Sequence, residues 1–253
     1  MNIDNLEKIL AKTNQPKFRI NQIKKAIFQD GVSAFLEIST LPKDLRETLD
    51  GEVKILSFSP VKILKSIDGR SIKALLKLKD ENLIETVLIS PKPEIWSACV
   101  SSQVGCPLGC SFCATGKGGF KRNLTAEEIT DQVLFWRQYL KKNKIAGIFS
   151  NIVYMGMGEP FLNWEEVSQS LKNLTDPELF GFGSRSLSIS TAGIPEGMEK
   201  LAKFFPQINL AISLHFGDNK KRSKFMPINK KYNLENLSEA IGNYFKKPEE
   251  KFL

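Results

Sequence analysis

The chain has 253 residues, 42% of them hydrophobic, and its 36 Lys and Arg outnumber 28 Asp and Glu for a net charge of +8. That length can bury a sizeable core, as one large domain or two smaller ones, and the basic excess suits either a polyanionic partner or no more than a solvated surface. The start, Met1-Asn2-Ile3-Asp4-Asn5, has neither the basic nor the apolar region of a secretory signal, and no apolar run approaches a membrane span. A soluble, cytoplasmic protein without a membrane partner is expected.

Residues 1–50 read as a helical module, with Ile20, Ile23 and Ile27 at helical spacing, Gly31 as a stop and Leu41-Pro42 opening a further short helix. Over residues 51–92 the period shifts toward two, with strands expected around 61–67, 72–78 and 83–89 and hairpin turns at Asp68-Gly69 and Asp80-Glu81-Asn82. Alternation puts Glu85 on the face of Leu83, Val87 and Ile89. Two readings of Glu85 stand: a general base whose pKa is raised by an apolar face, or an edge-strand glutamate reaching solvent. From residue 93 onward, strands expected at 98–102, 152–155, 187–190 and 208–214 alternate with helical patterns, as parallel strands joined by crossover helices do. Thr125 and Glu128 form a capping box for a helix with Ile129, Val133, Trp136 and Leu140 on one face, and Asn163 is expected to cap the next, with Glu166 at its third position. Residues 232–247 read as a helix and Lys251-Phe252-Leu253 as the opening of a strand, so a longer protein is expected to continue beyond them.

Three of the four cysteines lie within Gly105-Cys106-Pro107-Leu108-Gly109-Cys110-Ser111-Phe112-Cys113, separated by three and then two residues. Such clustering suits metal chemistry in a reducing compartment better than a disulfide framework. Three thiolates satisfy three irons of a 4Fe-4S cluster and leave the fourth open. That iron can chelate the amino and carboxylate groups of S-adenosylmethionine, whose carbon–sulfur bond one electron then cleaves to a reactive adenosyl radical. The rival is a structural zinc site, which takes four ligands in two paired halves; here the only His, His215, is about a hundred residues away.

Downstream, Met155-Gly156-Met157-Gly158-Glu159-Pro160 follows a strand and precedes a helix. It is either a tight turn or a place where glycines admit backbone carbonyls to the methionyl ammonium and Glu159 adds a carboxylate. Ser190 and Ser213 end the next two strands, with His215 just beyond, and each singly reads as a strand-end residue satisfying backbone groups. Together they fall at one end of successive strands. Cys99 reads as a buried small hydrophobe.

On these residues, with Cys99-Val100-Ser101-Ser102-Gln103, Gly119-Phe120-Lys121-Arg122-Asn123-Leu124, Ser190-Thr191-Ala192-Gly193, Ser213-Leu214-His215 and Pro227-Ile228-Asn229-Lys230, the sequence resembles the RlmN family of dual-specificity adenine methyltransferases in the radical S-adenosylmethionine superfamily. The resemblance runs through nearly the whole chain. It implies an α/β fold, a (β/α)6 partial barrel over 93–253 with an RNA-engaging helical module at 1–50 and a β extension at 51–92 carrying Glu85. It implies Cys106, Cys110 and Cys113 as cluster ligands, Glu85 as proton acceptor, and Gly158, Glu159, Ser190, Ser213, Leu214 and His215 as S-adenosylmethionine contacts. The reaction implied is methylation of carbon 2 of an adenine in 23S rRNA and in tRNA, by a monomer supplied with electrons by flavodoxin or ferredoxin. The family carries its methyl group on a cysteine near the C-terminus, and no cysteine follows Cys113 here. The last two barrel strands and a cofactor-binding asparagine are lacking too, so these residues alone are expected to be inactive. Two alternatives remain: a Cfr-like enzyme acting on carbon 8, and a non-catalytic module in which zinc holds the cysteines and the basic surface holds RNA.

Overall fold

A computed structural model describes Met1 and residues 3–245; the strand opening expected at 251–253 and the end of the helix expected to reach 247 lie outside the described residues. The N-terminal module is built from α1 (Ile3–Lys12), α2 (Phe18–Lys24) and α3 (Lys43–Glu52). α2 runs on through a wider π turn, Lys25–Gln29, so that Ile23, Ala26, Ile27 and Phe28 are all buried. Gly31 ends it at φ +63°, a left-handed conformation that costs a glycine least.

Next come β1 (Phe58–Lys65), β2 (Ser71–Leu78) and β3 (Leu83–Lys92), an antiparallel meander turning at Gly69 and Glu81, both left-handed. β4 (Ile95–Cys99) continues it antiparallel to β3. Beyond β4, residue 101 leaves the sheet, since its N–H and C=O pair with the Gln132 side chain at 2.8 and 3.0 Å in place of a neighbouring strand. For that reason the strand expected over 98–102 stops at Cys99. A ribbon of β5 (Gln103–Gly105) and β6 (Phe120–Asn123), which no sequence pattern announced, encloses the short α4 (Ala114–Lys117).

The rest alternates: α5 (Ala126–Lys142), β7 (Ile148–Tyr154), α6 (Trp164–Thr175), β8 (Leu187–Thr191), α7 (Pro195–Phe204), β9 (Asn209–Ile212), α8 (Asn219–Phe225) and α9 (Leu234–Phe245). β4, β7, β8 and β9 are parallel, and one seven-stranded sheet in the order β1-β2-β3-β4-β7-β8-β9 crosses the boundary expected at residue 92. The chain is therefore α/β, with an antiparallel half and a parallel half hydrogen-bonded edge to edge. No helix among the described residues is long and apolar enough to cross a membrane.

One sheet face is dry. Ile84, Leu88, Ala98, Ile152 and Ile189 are fully buried on it, with α5 contributing Ile129, Val133 and Trp136; burying each large side chain is worth about 1.5–3 kcal/mol. Trp136 Nε1 donates to Thr86 Oγ, which donates to the Cys99 carbonyl, so its one polar atom is satisfied. Thr125 and Glu128 cap α5 reciprocally, as their spacing predicts. Asn163 does not cap α6. It is buried, and its amide is committed to the Ser102 and Leu124 carbonyls at 2.8 and 2.9 Å, while Glu166 accepts from the Ala126 N–H instead.

Candidate metal and cofactor site

The opposite, open face of the sheet and the loops at the C-terminal ends of the parallel strands bring the expected residues together. Gly105 ends β5 at φ +78°, and a Cβ there would lie 1.9 Å from the Gly119 carbonyl oxygen, which instead accepts the Cys106 N–H at 2.9 Å. The cysteine loop thus leaves and re-enters the ribbon at one pinned point. Within it, the Cys113 N–H donates to the Cys110 carbonyl and Lys117 to that of Cys113, each at 3.0 Å. Cys110 is buried against Ala192 and Met226, with Leu108, Cys113 and Ile228 packed around them.

Burial pushes the Cys106 thiol up to about 11, with Glu159 and the other two thiols adding to the rise. Burial also raises Cys110, reinforced by Cys113 and opposed by the Arg222 guanidinium. Such thiols stay protonated until a metal displaces the proton. Among the described residues no three His, Cys, Asp or Glu side chains close around one point. A cluster does not ask that of them, because each thiolate takes its own iron. Three thiols on one loop, beside an apolar wall and with no fourth ligand of their own, fit a 4Fe-4S cluster with one open iron. Cys99 stands apart on β4, where burial raises it to about 11.

The turn after β7 lies flush on the chain entering this loop. A Cβ on Gly156 would fall 2.7 Å from the Val100 carbonyl, and one on Gly158, at φ +106°, 2.7 Å from the Gln103 side chain. Glu159 is 3% exposed. Its N–H donates to Gln103 Oε1, and its carboxylate accepts from the N–H groups of Phe161 at 3.2 Å and Ala192 at 2.8 Å. Burial pushes its pKa up, against those hydrogen bonds. Glu159 therefore braces the β7 and β8 loops against each other.

Ser190 and Ser213, 23 residues apart, meet with Oγ atoms at 3.0 Å, and the Ser213 N–H donates to the Thr191 carbonyl at 2.8 Å. Leu214 is exposed, and His215, at φ +57°, sets its ring 4.7 Å from that of Phe112 in the cysteine loop. Glu85 corrects one expectation: β3 is an interior strand between β2 and β4, so no edge carries it to solvent. It is half-exposed because the face it shares with Val87 is the open one, and Lys73 on β2 reaches its carboxylate at 3.0 Å. Ser101 Oγ donates to the Glu85 carbonyl at 2.6 Å and accepts from the Met157 N–H at 2.9 Å, joining β3 to the turn after β7.

Sequence reasoning missed Gln103, Ser101 and Arg222. The first two stand in a segment that carries the resemblance without pointing to a role for either. Arg222 follows Lys220 and Lys221 in a basic run that suggests a solvated surface, yet it is 1% exposed; its spacing to Met226, one helical turn on, is the available signal.

A family model described as the radical SAM superfamily matches residues 100–247, and one described as the ribosomal RNA large subunit methyltransferase N-terminal domain matches residues 1–55. Among curated proteins, a probable dual-specificity RNA methyltransferase RlmN of Syntrophomonas wolfei is 43% identical, over 96% of this chain and 70% of that protein. A ribosomal RNA large subunit methyltransferase Cfr of Bacillus velezensis is 42% identical, over 95% and 67%. Among solved structures, a radical SAM methyltransferase from Sphaerobacter thermophilus superposes with a TM-score of 0.86 at 36% identity, over 96% of this chain and 71% of that one. With its cysteine loop and parallel βα half, the chain is a radical SAM protein, of a superfamily that implies a 4Fe-4S cluster and S-adenosylmethionine. Within that superfamily it belongs to the RlmN/Cfr family of RNA methyltransferases.

Proposed function

We propose that these residues serve the methylation of carbon 2 of an adenine in 23S rRNA and in tRNA, holding S-adenosylmethionine on Gly158, Glu159, Ser190, Ser213, Leu214 and His215 beside a cluster on Cys106, Cys110 and Cys113. The observation that carries the reading is the convergence of these residues from four strand ends, with His215 against Phe112 and Ser190 against Ser213. When bound, the cluster supplies the single electron that opens the cofactor's carbon–sulfur bond. The chain's own residues do the rest. Ser190 and Ser213 orient the cofactor's polar groups, Glu159 holds the loops at fixed spacing, and Glu85, on the open face, takes the proton leaving the adenine ring. Exposed lysines of the N-terminal module engage RNA phosphate, and a flavodoxin or ferredoxin docks to deliver electrons to a monomer.

In the family the methyl group first moves to a cysteine near the C-terminus, and these residues hold no cysteine after Cys113. We therefore expect this chain by itself to make no methyladenine, and a version extended by a carrier-bearing segment to make it. The test is incubation of both forms, reduced, with S-adenosylmethionine and unmodified 23S RNA under argon, followed by mass spectrometry of the nucleosides. 2-Methyladenosine from the extended form alone is the expected result. 8-Methyladenosine would favour the Cfr-like reading, to which the 42% identical relative gives weight. A colourless protein holding zinc would replace both with the non-catalytic module.

A further inference from the structure

Arg222 is a buried cation that no carboxylate among the described residues answers. It is 1% exposed, and none of the ion pairs formed among the described residues includes it. Its donors go to neutral oxygens: Nη1 to Asn229 Oδ1 at 2.7 Å, Nε to the Leu214 carbonyl at 3.2 Å, and Nη2 to the Ala192 carbonyl. A guanidinium keeps its proton, so the positive charge stays. Hydrogen bonds to carbonyls satisfy its N–H groups but leave that charge without a countercharge among the described residues, an unfavourable arrangement away from water.

The elements that hold Arg222 face the cysteine loop. Ala192, whose carbonyl it binds, packs on Cys110, as does Met226, whose N–H donates to the Arg222 carbonyl at 2.7 Å. The Ser111 N–H donates to the Phe225 carbonyl at 2.9 Å, clamping α8 to the loop between two of its cysteines. Leu214 ties the same guanidinium to the Ser213-Leu214-His215 turn. Ala192 therefore touches both Cys110 and the guanidinium, and the cation is near enough to the Cys110 thiol to act on it electrostatically.

We propose that Arg222 is a positioning residue that holds a fixed positive charge behind the cluster and so favours its reduced, electron-loaded state. This rests on the cluster reading above. On reduction the cluster gains one electron from an external one-electron donor and one unit of negative charge, with no bond formed in the protein. A cation held at that wall by three elements stabilises the added charge without having to reorganise.

The test uses the chain with its cluster reconstituted anaerobically, without RNA or S-adenosylmethionine, and reads the reduced-to-oxidised ratio by electron paramagnetic resonance as potential is stepped with dithionite and mediator dyes. Arg222→Met and Arg222→Gln remove the charge, Gln keeping a donor, and Arg222→Lys keeps the charge while losing the fork. The ratio at a fixed potential should fall at least tenfold in Met and Gln, equivalent to 59 mV for one electron, and stay within threefold of the parent in Lys. Met or Gln matching the parent overturns the proposal. If neither neutral variant loads a cluster, Lys decides: a ratio near the parent's supports the role of charge, and a tenfold fall overturns it. A parent chain that takes up no iron and sulfide defeats the cluster reading itself, and the proposal with it.

Discussion

The two halves of the sheet hold their carboxylates in opposite ways. On the antiparallel half, Glu85 lies half-exposed on the open face with a single cation, Lys73, 3.0 Å away. On the parallel half, Glu159 is 3% exposed and meets backbone N–H groups of two loops, with no cation among its described partners. The first stands open to whatever lies on that face, and the second ties two loops together. Motif membership alone would grade them alike, whereas their surroundings separate an open, cation-paired carboxylate from a buried brace.

The largest effect should come from the loop that both halves serve. Replacing Cys106, Cys110 or Cys113 with Ala is expected to abolish cluster assembly, since each supplies one of three thiolates, while Cys99→Ala retains it. Iron and sulfide analysis after reconstitution checks this, and iron lost from the Cys99 variant but kept by a Cys113 variant would overturn the ligand assignment.

Next in size is the brace. Glu159→Ala strands two buried N–H groups, at about 1–3 kcal/mol each, and urea unfolding should show a loss of roughly 3 kcal/mol. Its pH dependence has a definite sign. Because burial raises Glu159 in the folded state, the unfolded chain ionises first. Stability is therefore highest below the ordinary glutamate value of about 4.3 and declines as pH rises through the raised folded value. Glu159→Gln should flatten that decline, and an unchanged slope in the Gln variant would break the contrast with Glu85.

Glu85→Gln should do the reverse. A half-exposed pair with Lys73 is worth no more than about 1 kcal/mol, so the unfolding midpoint should hardly move, while 2-methyladenosine disappears in the carrier-extended form. A variant that stays active would remove Glu85 from the chemistry. Smaller still, Ser190→Ala and Ser213→Ala should each cost about 1 kcal/mol and show coupling in a double-mutant cycle, with S-adenosylmethionine binding weakened severalfold by calorimetry. The smallest effect expected is at Lys25, exposed on the N-terminal module, where reversal to Glu should reduce the slope of log affinity for RNA against log salt by about 1. Lys24, paired at 3.8 Å with Glu178, is the poorer probe. An unchanged slope would move the footprint to Lys220 and Lys221, without the buried Arg222.

What the sequence determined by itself is whatever depends on neighbours within a turn or a hairpin. The cysteine spacing, the Thr125–Glu128 box, the turns at Gly69 and Glu81, and the alternation that put Glu85 on one face with Val87 are local properties, and the folded chain keeps them. The tertiary structure decided what depends on register between distant segments. Parallel pairing of β8 with β9 brings Ser190 to Ser213. Insertion of β3 between β2 and β4 turned an expected edge into the interior. Asn163 read as a cap because its neighbours in sequence suit one, but the carbonyls of Ser102 and Leu124, delivered by the fold, claim its amide first. Arg222 looks like one more cation in a basic run until α8 packs on the cysteine loop, because burial belongs to the assembled surface and carries no mark at the residue itself.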